Sequence, residues 1–138
     1  MVKVHEIKEF IGKVITDIKI ITGDESKNYL DEYIYFKFED YTEYIMGHAQ
    51  ECCESVKIKE ISGNLRSLLH YPIVKAECVT NENESYDMCQ QWTFYKISTE
   101  HATVTISWEG ESNCYYSIGA YIYPVGDDTV LPYGDPLQ

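Results

Sequence analysis

Short segments that alternate apolar and polar residues recur along most of the chain. Residues 13–22 alternate Val14, Thr16, Ile18 and Ile20 against more polar neighbours, and residues 32–38 form an aromatic-rich run. Comparable segments follow at residues 41–46, 55–61, 73–79, 91–97, 103–108 and 115–123. A period of two is typical of strands with one face on a core. Several connections are short enough to predict antiparallel hairpins.

Two short stretches depart from this alternation and predict helical turns. Residues 5–11 carry apolar side chains at a helical spacing before Gly12, and residues 65–69 follow Asn64, a favourable N-cap residue. The expected fold class is therefore α+β, with a curved, mainly antiparallel β-sheet of about six to eight strands and one or two short helices. Residues 1–138 are interpreted as a single domain with an extended Pro/Gly/Asp-rich tail at 124–138, and residues 80–87 as a flexible acidic surface loop.

Charge narrows the range of partners. The formal net charge at pH 7 is −12, and residues 76–138 contain ten carboxylates against Lys96 alone. Such a field repels nucleic acid and membranes and attracts basic partners. Direct nucleic-acid binding is not expected, because phosphate contacts need clustered Lys and Arg. The 13 tyrosines suit both half-buried strands and contact surfaces, and exposed strand edges leave a homodimer open.

The five cysteines are interpreted as reduced thiols. Their number is odd, and the first residues of the chain lack the apolar segment of a secretion signal. No apolar run approaches the length of a membrane span. These features predict a cytoplasmic protein with no disulfide framework.

The run at residues 48–54 is the candidate site with the most chemistry. His48, Cys52, Cys53 and Glu54 lie where one predicted strand ends and the next begins, so their side chains are expected to converge. Imidazole and thiolate are zinc ligands, but the spacing matches no standard zinc pattern. A packed corner without a cofactor is the commoner outcome for such residues. Use of Cys52 or Cys53 as an enzyme nucleophile is a further alternative.

A second candidate site lies in the acidic half of the chain. Carboxylates next to tyrosine and asparagine suit a contact with an Arg/Lys-rich partner. The predicted binding residues are Glu82, Glu84, Asp87, Glu109, Glu111, Asn113, Tyr115 and Tyr116. The modest basic group of Lys57, Lys59 and Arg66 could instead hold an anionic small molecule near the short helix.

Several motifs resemble an uncharacterised family of small proteins encoded by phages and prophages. They are His-x-Gln-Glu-Cys-Cys-Glu-Ser-Val at 48–56, Trp-Thr-Phe-Tyr-Lys at 92–96 and Gly-Glu-Ser-Asn-x-Tyr-Tyr-Ser at 110–117. The resemblance covers roughly residues 12–118 and implies a phage or prophage origin and a location in the cytoplasm of the host cell. In that family position 114 is usually glycine, which permits a positive φ. This chain has Cys114, so the resemblance alone does not fix the backbone of this hairpin.

Three functions are consistent with these observations. The preferred one is a non-enzymatic phage accessory protein that binds and inhibits a host protein, in counter-defence or host takeover, through an acidic, Tyr-rich face. The second is a small-ligand module that holds a metal at the Cys-Cys corner or sequesters a nucleotide-like signal. The third is a cysteine-dependent enzyme. Small accessory phage proteins commonly bind host machinery, an association that favours the first.

Overall fold

The computed structural model describes residues 5–21, 32–48, 53–85, 87–115 and 118–125. Within these ranges the chain forms eight strands and two 3₁₀ turns. The strands are β1 (Ile15–Ile21), β2 (Tyr33–Phe38), β3 (Glu43–Gly47), β4 (Ser55–Ser62), β5 (Lys75–Ser85), β6 (Met88–Ser98), β7 (Thr103–Ser112) and β8 (Tyr121–Pro124). The 3₁₀ turns span Ile7–Phe10 and Leu65–Leu68.

The strands form two antiparallel sheets of four strands each. The first sheet has the order β1–β2–β3–β8 and the second the order β4–β7–β6–β5. One cluster of buried side chains draws on both sheets, with Phe36 and Met46 from the first and Ile97 and Ile106 from the second. The sheets are therefore two layers around a shared core, which buries one face of each.

The prediction of a mainly antiparallel β-protein with six to eight strands is confirmed, whereas the α+β class and the single curved sheet are wrong. The strands divide between two sheets, and the described ranges contain no α-helix. Each helical segment is a four-residue 3₁₀ turn that buries two side chains, Ile7 and Phe10 in one and Leu65 and Leu68 in the other. A segment this short cannot support an α-helix by its own hydrogen bonds.

β1 faces the core differently from the predicted alternation. A β-bulge lies between Ile15 and Asp17, and Ile15 and Ile18 are both buried while Thr16 is exposed. The extra residue in a bulge shifts the side chains that follow it to the other face of the strand. Of the predicted even-numbered face only Ile18 is buried in β1, because Thr16 and Ile20 are exposed while Ile15 and Ile21 are buried.

Residues 80–85 of the predicted flexible loop at 80–87 belong to β5 instead, and residue 86 lies outside the described ranges. Pairing between β5 and β6 continues without interruption from Lys75↔Ser98 to Ser85↔Met88. The residues that follow Val79 in β5 are exposed and polar, so they lack the apolar alternation by which a strand is recognised. The tail beyond Val125 lies outside the described ranges.

Residues 118–120 cross the inner face of the second sheet before β8 begins. A Cβ added to Gly110 in β7 would overlap the Ile118 carbonyl oxygen, so glycine is required for this close approach. The hydroxyl of Tyr95 donates to the Ala120 carbonyl oxygen over 2.5 Å. Of the predicted strand at 115–123, residues 121–123 lie in β8 and residues 118–120 form a buried crossing, while residues 116–117 lie outside the described ranges.

Candidate functional site

His48 and Glu54 are brought together where the chain passes from β3 to β4. His48 Nε2 lies 2.8 Å from Glu54 Oε2, and His48 Nδ1 lies 2.8 Å from the Gly119 carbonyl oxygen. The side chains of His48 and Glu54 are 4% and 0% exposed. The structure thus brings together two of the four residues of the predicted site, and we call this pair the buried corner.

Counting hydrogens defines the chemistry of the buried corner. A carbonyl oxygen can only accept, so His48 Nδ1 must carry the proton that it donates to Gly119. One further proton then lies between Nε2 and the Glu54 carboxyl group. The pair is charged when this proton is on Nε2 and neutral when it is on the carboxyl group. Both ring nitrogens are therefore engaged, and the ring has no nitrogen available to solvent as a general base.

Three of the four residues of the predicted zinc site lie in the described ranges. Cys52 lies outside the described ranges, and Cys53 is exposed whereas Glu54 is buried. Across the described parts of the chain no group of three His, Cys, Asp or Glu side chains is arranged to hold a metal ion. With Cys52 outside these parts, zinc binding at the corner stays a prediction.

The interpretation that all cysteines are reduced is wrong for one pair. Cys89 in β6 and Cys114, just after β7, form a disulfide across a sequence separation of 25 residues. Cys89 is already opposite Ser112 in the ladder between β6 and β7, so the disulfide joins positions that the strands bring together. Cys114 has φ 75°, the positive value that glycine would allow. The hairpin therefore keeps a positive-φ backbone at this position although the residue is cysteine.

The predicted acidic binding residues lie at one end of the second sheet, but on two faces. Glu82 and Glu84 share a shallow groove with both disulfide cysteines, Gln90, Gln91 and Ile118. Asp87 is exposed in the adjoining β5–β6 turn. Glu82, Glu84 and Asp87 make no ion pair within the described ranges.

Glu109 and Glu111 project from the opposite face of that sheet and have local partners. Glu109 Oε2 lies 3.5 Å from Lys59 Nζ, and Lys57 is directly opposite Glu109 in the ladder. Glu111 accepts a hydrogen bond from Gln90. The prediction of one continuous acidic face is therefore wrong, because these two carboxylates lie next to the lysines of β4.

Tyr115 extends the acidic end with an aromatic side chain. It is 80% exposed, and its backbone N–H donates to Asn113 Oδ1 over 3.2 Å. The preceding N–H, of Cys114, donates to Ser112 Oγ over 3.0 Å. Predicted residue Tyr116 lies outside the described ranges. We call Glu82, Glu84, Asp87 and Tyr115 the acidic tip.

Two further grooves lie along the sides of the two sheets, where edge strands face each other. Between β1 and β4 a groove of about 550 Å³ has Ile18, Ile61 and Leu65 among its apolar lining and Lys19 and Arg66 among its polar lining. We call it the basic groove. Of the predicted basic group only Arg66 lies there, because Lys57 and Lys59 line a separate depression beside Glu109.

The second groove lies between β5 and residues 5–8, with Tyr121 of β8 also in its lining, and has a volume of about 450 Å³. Its lining includes the Cys78 thiol and the buried ring of Tyr95. Burial raises the pKa of the Cys78 thiol above its usual value, and the hydrogen bond with Tyr95 only partly opposes that effect. Cys78 is therefore protonated at neutral pH and unsuited to act as a nucleophile.

Comparison with known proteins places the chain in a sequence family. The sequence model described as "Domain of unknown function (DUF7448)" matches residues 8–122. No curated protein and no solved structure matches the chain significantly. In the ranges that the structure describes, no helix has the length and apolar character needed to span a membrane.

Proposed function

We propose that this chain, which belongs to the DUF7448 family, is a non-enzymatic binding protein whose partner is a protein with a basic surface. The observation that carries the proposal is the acidic tip. It combines three carboxylates that lack an ion-pair partner in the described ranges with an exposed tyrosine on an ordered turn. Binding would occur at the end of the second sheet.

Electrostatics supports a basic partner. Glu82 and Glu84 are two residues apart on β5, so their side chains project from the same face, and Asp87 follows in the turn. Their fields add because the described ranges supply no paired cation at this end. Carboxylates in such an arrangement accelerate encounter with a cationic surface and select against anionic ones.

Tyr115 gives the tip a contact that charge alone does not provide. Tyrosine is enriched at binding hot spots because its ring offers a large contact area and its hydroxyl stays hydrated. The disulfide attaches the turn before Tyr115 to β6. A turn held in this way loses little backbone freedom on binding, which favours affinity.

The expected partner is a host protein that the chain inhibits. This part of the proposal rests on the resemblance to small phage and prophage proteins and extends to a location in the host cytoplasm. A basic surface that normally contacts nucleic acid would be a suitable target, because carboxylates could occupy the positions of phosphates.

The test compares two matched charge reversals. In one variant Glu82→Lys is combined with Glu84→Lys, and in the control Glu60→Lys is combined with Glu100→Lys, two exposed positions outside the tip. Both variants change the net charge equally. At about 0.7 kcal/mol for each exposed charge contact, the tip variant should weaken binding about tenfold at low salt.

Binding is measured in two ways, by fluorescence anisotropy with an arginine-rich peptide and by capture from host lysate read by mass spectrometry. The tip variant should lose proteins that the wild type and the control both retain, and the difference should vanish in about 1 M salt, where screening is nearly complete. Equal losses in both variants would show that only net charge matters. An affinity that changes neither with salt concentration nor in either charge-reversal variant would refute the proposal.

The basic groove favours a second function, the binding of an anionic small molecule. Lys19 and Arg66 lie beside an apolar floor in about 550 Å³, enough for a nucleotide-sized ligand. A thermal-shift screen with mononucleotides and cyclic nucleotides tests it, with Arg66→Ala as the variant and Lys57→Ala as the matched control. A ligand that stabilises the wild type and the control but not the Arg66 variant would establish this function. A screen without any stabilising ligand would oppose it.

A further inference from the structure

β1 is an edge strand of the first sheet, with β2 on one side. Near its start the other side is covered, because the His70 N–H donates to the Ile15 carbonyl oxygen over 2.9 Å. Beyond the bulge this side borders the basic groove, which Ile18 and Ile20 line. In the part of the chain that the structure describes, no backbone group bonds these two residues on the groove side. The second half of this strand edge is therefore open.

The register shows which backbone groups of β1 face the groove. The Phe38 N–H donates to a carbonyl oxygen just before β3 over 2.9 Å, so Phe38 turns its backbone groups away from β1. Backbone groups alternate in direction along a strand, so Tyr35 faces β1 and bonds its ladder partner Lys19. The residues on either side of Lys19 face the other way. The N–H and C=O groups of Ile18 and Ile20 thus point into the groove.

The surroundings of these backbone groups are apolar and cationic. Ile20 is 48% exposed, and Ile61 and Leu65 continue the apolar floor of the groove. Arg66 is exposed at the rim and makes no ion pair within the described ranges. A ligand that matches all three features has backbone donors and acceptors, an apolar side chain and a negative charge.

The edge of β4, across the same groove, shows how a carboxylate can satisfy an open strand edge. The Ile58 N–H donates to Glu32 Oε1 over 3.2 Å, so a side chain takes the place of a neighbouring strand. No side chain of the described ranges does this for Ile18 or Ile20. An open edge of this kind is a template for pairing with another chain.

We propose that the open edge of β1 binds an extended peptide segment of a partner protein, which adds a strand to the first sheet. The peptide backbone bonds Ile18 and Ile20, an apolar side chain lies on the groove floor, and a carboxylate pairs with Arg66. The two outward-facing residues are about 7 Å apart, which suits a segment of about five residues. The inference is independent of the acidic tip.

The open edge favours a peptide over the small anionic ligand considered for this groove. A nucleotide offers a phosphate to Arg66 and a base to the apolar floor, but it has no groups at the spacing of a strand ladder. Strand addition draws affinity from main-chain hydrogen bonds and specificity from alternate side chains. A peptide therefore uses the four backbone groups of Ile18 and Ile20 that a nucleotide leaves unpaired.

Amide hydrogen exchange in the full chain gives an alternating readout. In the free protein the amides of Ile18 and Ile20 should exchange about tenfold faster than those of Lys19 and Ile21, which β2 holds. The probe peptide acetyl-Glu-Val-Thr-Val-Glu-amide, at saturation, should slow exchange at Ile18 and Ile20 about tenfold and leave Lys19 and Ile21 unchanged. Slow exchange at Ile18 and Ile20 without peptide would show that the chain itself or a second copy covers this edge, and would overturn the inference.

The affinities of modified peptides separate strand pairing from charge. A peptide with lysine in place of both glutamates should bind about fivefold more weakly. N-methylation is applied either to both valines or to the threonine, and only alternate N–H groups of a strand face β1. One of these two peptides should lose about tenfold in affinity, and the other should lose much less. Equal losses, or no loss in either, would refute strand pairing.

Variants of the protein test the edge and the rim separately. Ile20→Pro removes an N–H that bonds no strand, which edge strands tolerate, and should weaken peptide binding about tenfold. Ile20→Ala keeps that N–H and should lose about threefold, through the apolar contact alone. Arg66→Ala should lower affinity for the glutamate peptide about fivefold, whereas the matched control Lys57→Ala should not. Equal affinities for Ile20→Pro and Ile20→Ala would overturn the backbone contact, and the N-methylated peptides decide the same point if Ile20→Pro does not fold.

The outcome also distinguishes this inference from the functions proposed above. If a mononucleotide stabilises the protein through Arg66 while the glutamate peptide does not bind, strand addition fails and the small-molecule function stands. If the peptide binds and the charge reversals at Glu82 and Glu84 leave all partner binding unchanged, the acidic tip fails and strand addition stands.

Discussion

Replacing Glu54 by alanine removes the carboxylate that contacts the ring of His48 in the buried corner. His48 Nδ1 keeps its hydrogen bond to the Gly119 carbonyl, so the change isolates the Nε2 side of the ring. Because the two side chains are 4% and 0% exposed, solvent does not replace the lost carboxylate. The substitution therefore tests whether the corner stabilises the fold.

The size of the effect follows from burial. A buried polar atom left without its partner costs about 1–3 kcal/mol, and breaking a buried ion pair at one member costs about 3–5 kcal/mol. We expect Glu54→Ala to lower the free energy of unfolding by about 4 kcal/mol, a large part of the usual 5–15 kcal/mol. Glu54→Gln should cost about 1 kcal/mol, because its amide can still donate to Nε2 of a neutral ring.

Urea unfolding at neutral pH measures these losses, with His48→Ala and the double variant completing a cycle. The double variant should lose about 2 kcal/mol less than the two single losses added together, because each single change strands the other partner. A loss below about 1 kcal/mol for Glu54→Ala would refute this reasoning. If a chelator lowers the melting temperature of the wild type and zinc restores it, the predicted metal site replaces the structural pair.

Three further outcomes follow from single positions. Gly110→Ala should lower the free energy of unfolding in urea by about 2–3 kcal/mol, because its Cβ would overlap the backbone that crosses β7. Burial raises the pKa of Tyr35 and of Tyr95 above the usual 10, so the stability they contribute is full below pH 10 and is lost as the pH rises beyond it. In an ultraviolet titration both should ionise only as the protein unfolds. Hydrogen bonds from Thr42, followed by one from Lys13, lower the pKa of the Asp40 carboxyl group to about 2. The stability that this carboxylate contributes is therefore present above pH 3.8 and is lost as the pH falls through about 2. An NMR titration of the carboxyl group checks this value.

The alternation of apolar and polar residues predicts those strands whose inner faces lie over the core. β2 and β3 were predicted as a hairpin close to their observed bounds, because apolar residues continue along both strands. The failure at β5 has the opposite cause. Residues 80–85 extend past the core and are exposed, so their pairing with β6 depends on backbone hydrogen bonds that leave no apolar pattern.

The buried corner could be predicted only in part. Its position between two strands was readable, and His48 and Glu54 do meet. The third partner was not readable, because the Gly119 carbonyl is 71 residues away and reaches His48 through the crossing of residues 118–120. Long-range backbone partners of this kind depend on sheet order, which alternation does not specify.

The number of cysteines does not reveal the disulfide, because pairing depends on the geometry of the fold. An odd number of cysteines does not prevent two of them from pairing, and Cys89 and Cys114 are 25 residues apart in sequence. The usable signal was positional: the β6–β7 hairpin sets Cys89 opposite Ser112, two residues before Cys114. Recognising the pair required the register, and the register depends on where the hairpin turns.

Register also explains why the predicted acidic face divides. Glu82 is opposite Gln91, and Gln91 is opposite Gly110, so Glu82 shares a face with the even-numbered residues of β7. Glu109 and Glu111 are odd-numbered and must project from the other face. A shift of one residue in either ladder would have gathered all four carboxylates on one side. The observed register instead sets Glu109 and Glu111 beside the lysines of β4 and leaves Glu82 and Glu84 in the groove that the disulfide lines, so the surplus negative charge of this end lies on the groove side of the sheet.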